Sequence, residues 1–371
     1  MNLDYSEEQN LLREQARKFL ASQCSPAIVR AVLEDAAMPY DKALWKGVIA
    51  QGWLGAAIPE EFGGLGLGRV ELCAIAEELG RAVAPIPFAS TVYFLAEGLM
   101  LCGSAEQKKR WLPKIAAGEA IGCMATAEGP GPVSGDHVQA RVADGRITGV
   151  KLPVTDGDCA DVAIVLAKEA GRAGLFLVEL GGAAVQRETL KTLDPTRSVA
   201  RISFQNAPAE RLGAPGEGEA LMQAIFDRAA VLLAFEQIGG ADRALEMAKD
   251  YALNRYAFGR QIGSFQAIKH KLADVYVKNE IARSHAYYGA WALESGAAEL
   301  PAAAAAARIA ASEAYWHASK ENIQVHGGMG FTWAMDCHLY YRRSRQLALV
   351  AGAPGVWKER LIEQLERANA A

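Results

Sequence analysis

Apolar residues recur at three- and four-residue intervals to about residue 118, alternate with polar ones to about 215, and return to the longer interval from Gly216 onward. The longer interval is that of one helix face and the shorter that of a strand. The pattern predicts an α+β multidomain chain: a helical N-terminal domain over 1–118, a β middle domain over 119–215 and a helical C-terminal domain over 216–371. A first helix opens at "SEEQ", where Ser6 can cap and Gln9 can reciprocate, and Leu11, Leu12, Phe19 and Leu20 follow on one side. "IPEEFGGLGLG" (58–68) is a loop, because its glycines and proline would break a helix. "GSAEQKKRWLPKIAAGEA" is a short helix leading out of the first domain. In the middle, "VQARVADGRITGV" is two strands around the Asp144-Gly145 turn, continued by "ADVAIVLA", "AGLFLVEL" and "ARISFQNA". Towards the end, the alanine-rich "AAAAAARIAASEAYWHASKENIQ" is a long helix that stops against Gly327 and Gly328.

Composition removes several classes. An apolar content of 51% over 371 residues supports substantial cores and excludes a disordered or fibrous chain. A net charge of -4 leaves no general basic field, so nucleic acid is not an expected partner. The stretch "MNLDYSEEQNLL" has neither a basic start nor an apolar block, and no run of about eighteen uncharged apolar residues occurs. A cytoplasmic protein with no membrane span is expected. Cys24, Cys73, Cys102, Cys123, Cys159 and Cys337 are far apart and form no Cys-x-x-Cys, which predicts small buried residues rather than a disulfide frame or metal site. "GPGPVSG" (129–135) is no dinucleotide loop, since two prolines interrupt it and a hairpin, not a helix, follows.

Two stretches carry more. In "YALNRYAFGRQIGSFQAIKHKLADVYV" (251–277), Arg255 and Arg260 bracket Phe258-Gly259, and Phe265-Gln266 precede a helix. A guanidinium fork suits a pyrophosphate, and a glutamine amide can donate and accept toward a ribose or adenine. In "ENIQVHGGMGF" (321–331), Gln324 falls on the last helical turn and Gly327-Gly328 tolerate close backbone approach. Together they can grip the two ends of a dinucleotide. Separately, Arg255 is equally a solvated helix residue and the glycines a helix stop.

The chain resembles the acyl-CoA dehydrogenase family over almost its whole length. "PEEFGGLGLG", "GSAEQKKRWLPKIAAGEAIGCMATAE", "DPTRSVARISF", "RYAFGRQIGSFQAIKHKLAD" and "QVHGGMGF" are similar to that family's motifs and occur in its order. The resemblance implies a helical N-terminal domain, a β-barrel-like middle, a C-terminal four-helix bundle, and tetramers built as dimers of dimers. It implies FAD between domains, with Arg255, Phe258 and Gln266 on the pyrophosphate and adenosine of a cofactor held mainly by the neighbouring subunit, and Gln324, Gly327 and Gly328 completing that grip. The implied reaction removes an α-proton from an acyl-CoA with a carboxylate while the β-hydrogen leaves as hydride to the flavin, so base and flavin flank the Cα–Cβ bond. The backbone N–H of the base residue helps polarise the thioester carbonyl. Electron-transfer flavoprotein is the implied acceptor.

Against that family the chain departs at the base. Most members place a glutamate before the glycine of the bend in "LVAGAPGVWKERL"; here Ala351 precedes Gly352. A minority carry Glu-Arg on the first bundle helix; here that pair falls on Ala229 and Ala230. Alanine at 351 keeps a backbone N–H but cannot take a proton. Glu236, seven residues beyond Ala229 in an apolar run, is the remaining candidate base, though two helical turns put it about 10 Å along the axis, toward the acyl tail. Its other reading is a pocket-floor or interhelical hydrogen-bonding residue. Asp227 aligns with a residue near the CoA nucleotide, or is a solvent-facing aspartate of an early turn. "TAEGPGPVSGD" and "LPVTDG" depart from the family's flavin motifs, leaving Thr126 and Thr155 to hydrogen-bond the flavin, with no aromatic at Pro153. Two readings follow: a self-sufficient acyl-CoA dehydrogenase using Glu236 or another acid, or a structural FAD-binding partner, inactive alone, of a base-bearing paralogue. The resemblance to the base-free subunits of the bacterial steroid and bulky-substrate branch favours the second. A flavin-dependent acyl-CoA oxidase on the same fold is a third.

Overall fold

The computed structural model describes residues 5–131 and 133–370, so Pro132 of "GPGPVSG" lies outside the described residues. The first helices are α1 (Glu7–Gln23), α2 (Pro26–Glu34), α3 (Lys42–Ala50), α4 (Arg69–Arg81), α5 (Glu97–Cys102) and α6 (Ala105–Ala116), with a π-helical stretch at Ser90–Ala96 leading into α5. The strands β1 (Gly122–Ala125), β2 (Arg141–Ala143), β3 (Arg146–Thr155), β4 (Val162–Glu169), β5 (Arg172–Glu179), β6 (Val185–Thr189), β7 (Val199–Pro208) and β8 (Glu210–Leu212) follow. Then come α7 (Gly218–Asn254), a small ribbon of β9 (Tyr256–Ala257) and β10 (Arg260–Gln261), α8 (Gln266–Ser295), α9 (Leu300–His326), α10 (Cys337–Leu347) and α11 (Pro354–Ala370). No helix among the described residues is long and apolar enough to cross a membrane.

These elements arise where the local chemistry places them. Ser6 and Gln9 form a full capping box at α1, and Ser104 and Gln107 repeat it at α6. Asp144 and Gly145 both take positive φ, 49° and 69°, the backbone a two-residue hairpin needs between β2 and β3. On α1 the buried positions are Ala16 and Leu20, while Leu11 is 56% exposed, so the predicted apolar face is shorter than its sequence pattern.

The residues fall into two compact units that do not follow chain order: 27–68 with 85–229, and 1–26 with 69–84 and 230–371. The former is built on an eight-stranded sheet in the order β6-β7-β3-β2-β4-β5-β8, with β1 alongside β4. β1 and β2 run parallel to β4 and the other pairings are antiparallel. Buried residues run unbroken from Val162 to Ala167 in β4, as expected of a strand covered on both faces. The sheet is open, a correction to the barrel-like expectation. Closure requires the terminal strands to pair, and β6, almost wholly exposed, ends the order at the side away from β8.

The other unit is helical. α9 packs against α8, α10 and α11, and Gly289 on α8 lies where a Cβ would meet Val231 of α7 at 3.2 Å and Ala307 of α9 at 3.6 Å. α1 and α4, from the first part of the chain, belong to this same unit. Gly80 and Gly239 let α4 and α7 approach until a Cβ on either would lie 1.8 Å from a carbonyl oxygen of the other, at Glu236 and Glu77. Ion pairs Arg17–Glu78, Arg283–Glu77, Arg283–Asp242 and Arg81–Glu246 tie these helices together.

Candidate functional site

The residues that the sequence offers as a nucleotide grip lie in the helical unit. α7 ends at Asn254, and Arg255 follows it with its N–H on the Tyr251 carbonyl (2.8 Å) and its side chain exposed. Ala257 pairs with Arg260, so Phe258 and Gly259 form the two-residue turn, with φ of 53° and 77°. An aromatic residue in the left-handed region costs energy that glycine or asparagine would not, and Phe258 is 95% exposed. Arg260 lies over the Phe265 ring at 4.0 Å, and Gln266 opens α8 with its side chain in solvent.

Gln324 is exposed on the last turn of α9, and its carbonyl accepts the N–H of Gly327, which ends the helix at φ 59°. Open space surrounds the Cβ positions of Gly327 and Gly328. His326 stacks on Tyr251, ring centroids 4.1 Å apart, over a small core of Ala248, Ala252 and Val325. This contact brings the end of α7 to the end of α9. The two motifs, some seventy residues apart in sequence, are therefore neighbours. Phe331 (80% exposed) and Trp333 (48%) stand beyond the glycines, an apolar rim of the kind that marks a binding surface. The set fits the adenosine diphosphate end of FAD: a free guanidinium, carboxamides and glycine backbone that a ligand can approach.

The positions where the resemblance expects a base lie in the first part of α7 and in the bend after α10. Ala229 and Ala230 are buried in α7. Ala351 sits in the bend between α10 and α11 at φ 61°, followed by Gly352 at φ 112°. Glu236 is 3% exposed, with Oε1 3.6 Å from Nη1 of the fully buried Arg343, whose guanidinium also reaches the Val83 and Ala84 carbonyls. Beside it Arg308, 1% exposed on α9, donates to Gln237 Oε1 and to the carbonyls of Leu347 and Val350. Burial pushes its guanidinium down to about 9, opposed by the charge of Glu236. Sequence reasoning passed over both arginines. For Arg308 the available signal was a lone basic residue inside an alanine helix face, a charge that cannot be buried without partners; Arg343, within the basic run "YYRRSRQ", offers none.

In the sheet unit, Thr126 follows β1 and is 9% exposed; its carbonyl accepts from Lys151 Nζ (3.2 Å). Lys151 is fully buried on β3 and pairs with Glu128 at 2.7 Å, while Glu128 also accepts the N–H groups of Gln139 and Ala140. This clasp closes the loop after β1 around a cavity of about 180 Å³ lined by Thr126, Glu128, Ser134 and His137 among others. Thr155 ends β3, half-buried, paired with Val199; Pro153 is exposed. Asp227 is 3% exposed on α7, so the solvent-facing reading of it is corrected. None of the six cysteines is in a disulfide, and no metal-binding group of acids, histidines or cysteines occurs among the described residues.

Residues 6–119 match the family model "Acyl-CoA dehydrogenase, N-terminal domain" and residues 216–366 the model "Acyl-CoA dehydrogenase, C-terminal domain". The chain is 37% identical over 351 residues to the acyl-CoA dehydrogenase IpdE2 of Mycobacterium tuberculosis, covering 94% of each. Among solved structures it is similar to the steroid ACAD Tcur3481-Tcur3483 (30% identity, TM-score 0.90, covering 98% of this chain and 99% of that one). It is also similar to a chain of the ChsE4-ChsE5 complex of M. tuberculosis (27% identity, TM-score 0.89, 99% of each). With both family domains matched in order and a relative covered nearly end to end, this chain belongs to the acyl-CoA dehydrogenase family of FAD-dependent oxidoreductases.

Proposed function

We propose that this chain is the base-lacking subunit of a heteromeric acyl-CoA dehydrogenase, acting on a bulky, steroid-derived acyl-CoA. The observation that carries it is alanine at 229, 230 and 351 in a chain that keeps Arg255, Phe258, Gln266, Gln324, Gly327 and Gly328. Two similar structures bear two-component names, and one is named a steroid ACAD, which supports both the assembly and the substrate class.

Bound FAD supplies the hydride acceptor. Arg255 would hold the pyrophosphate, Phe258 and Gln266 the adenosine, and Gln324 with the Gly327-Gly328 backbone would complete that grip on a cofactor held mainly by the neighbouring subunit. Thr126 and Thr155 remain as hydrogen-bonding groups toward a flavin ring. At the bend, Ala351 offers a backbone N–H to a thioester carbonyl but no carboxylate, so it polarises without removing a proton. The proton goes to an acid of the paralogue. Glu236 as base is the second reading; its carboxylate already faces Arg343, which favours a counterion role. A tetramer of two such pairs, with an electron-transfer flavoprotein as acceptor, completes the proposal.

The test is anaerobic mixing with straight-chain, branched and steroid acyl-CoAs while flavin absorbance is followed, for the chain reconstituted alone and for the chain co-expressed with a base-bearing paralogue. Bleaching only in the mixture is expected. Bleaching by the chain alone overturns the base-lacking role.

A further inference from the structure

Peptide groups are planar and, at the bend, trans, so the Val350 carbonyl and the Ala351 N–H point in opposite directions from one plane. Arg308 takes that carbonyl at 2.8 Å and the Leu347 carbonyl with the same nitrogen. Arg308 is itself fixed, packed at 1% exposure with its other terminal nitrogen on Gln237, whose amide is held by Ser312 at 3.1 Å. The carbonyl is thus drawn into the bundle core and the N–H is turned out of it. Among the described residues that N–H meets no acceptor, although neighbouring N–H groups of Leu349 and Gly352 do. Ala351 is meanwhile held at φ 61°, a conformation alanine does not choose unaided. A cation on the carbonyl oxygen also draws electron density through the amide, making its N–H a stronger donor.

We infer that Arg308 is a positioning residue for the bend: it sets the Val350–Ala351 peptide so that the Ala351 N–H is presented, outward and polarised, to an acceptor oxygen. The buried guanidinium explains why the bend keeps a donor geometry although its acid is gone, and why an arginine is buried in an alanine-rich helix face. The inference rests on the reading of the Ala351 N–H as donor to a thioester carbonyl.

The probe is crotonyl-CoA labelled with ¹³C at the thioester carbonyl, bound to the full chain in its FAD-loaded oligomer, with the carbonyl stretch read by infrared difference spectroscopy. Wild type is expected to lower the stretching frequency relative to free crotonyl-CoA. Arg308→Met should bind the probe with the band returned most of the way to its free position, and Arg308→Lys should fall between, since one ammonium replaces a fork that holds the two carbonyls with one nitrogen and Gln237 with the other. An equal downshift in Arg308→Met overturns the inference. If that variant does not fold, Arg308→Lys decides: a full downshift overturns the inference, a reduced one supports it. Absence of a downshift in wild type would sink the thioester reading itself, and the role in carbonyl polarisation with it. A ligand-free crystal structure of Arg308→Lys is an independent test: Ala351 unchanged in φ with its N–H still outward counts against Arg308, a reoriented 350–351 peptide supports it.

Discussion

Glu236 illustrates how one residue reads differently by sequence and by contact. An acid in "VLLAFEQIGG" is a candidate base by sequence; 3.6 Å from a buried guanidinium it is also placed to act as a counterion. The two roles predict opposite behaviour for Glu236→Gln. A base would lose turnover with stability intact. If Glu236 is a counterion, the variant removes a carboxylate that faces the buried Arg343, which costs about 3 kcal/mol, while turnover per folded enzyme in the heteromer persists. Urea unfolding together with flavin bleaching on the same preparation separates them, and loss of bleaching without loss of stability would return Glu236 to the active site. Arg308 and Lys151 show the converse. Each is an ordinary basic residue in sequence, and each becomes informative only because the fold buries it completely against named carbonyls.

Among elements, the tightest constraint is the crossing of α4 and α7. Gly239→Ala puts a Cβ against the Glu77 carbonyl, where backbone rather than a flexible side chain must move, so a loss of about 1–3 kcal/mol is expected. Gly355→Ala, with open space in α11, should be neutral or gain up to about 1 kcal/mol. Equal midpoints for the two variants in denaturant melts would contradict the close crossing. The clasp between β3 and the loop after β1 makes a pH prediction. Burial works to raise the Glu128 carboxyl, but the Lys151 ammonium and two backbone N–H groups win and hold it below its ordinary value. A carboxyl lowered in the folded state stabilises fully above its unfolded value, and that contribution is lost as pH falls through the folded one. Wild type should therefore lose more stability than Glu128→Gln between about pH 6 and pH 3.5, and parallel losses would remove the clasp from the acid limb.

At the scale of the whole molecule, the proposed sharing of a cofactor site with a paralogue predicts that FAD binding is a property of the mixture. FAD at about a hundred times its dissociation constant should stabilise the heteromer by about 2.7 kcal/mol and raise its melting temperature, leave the chain alone nearly unmoved, and lose most of this effect in Arg255→Ala. A full shift for the isolated chain would mean that it holds the cofactor unaided. Legible in the residues alone was everything set by neighbours along the chain: capping boxes at Ser6 and Ser104, the Asp144-Gly145 turn, the helix stop at Gly327, and the alanines where a base is expected. These depend on backbone geometry within a few residues, or on residue identity alone. Tertiary structure decided the rest. It opened the sheet, because strand closure is a long-range pairing. It joined α1 and α4 to the bundle helices, because reciprocal glycines permit a close approach that no local period encodes. It brought the end of α7 to the end of α9 through a histidine–tyrosine stack, and it set Arg308 on the carbonyl before Ala351, because burial and partners are properties of packed surfaces and not of spacing.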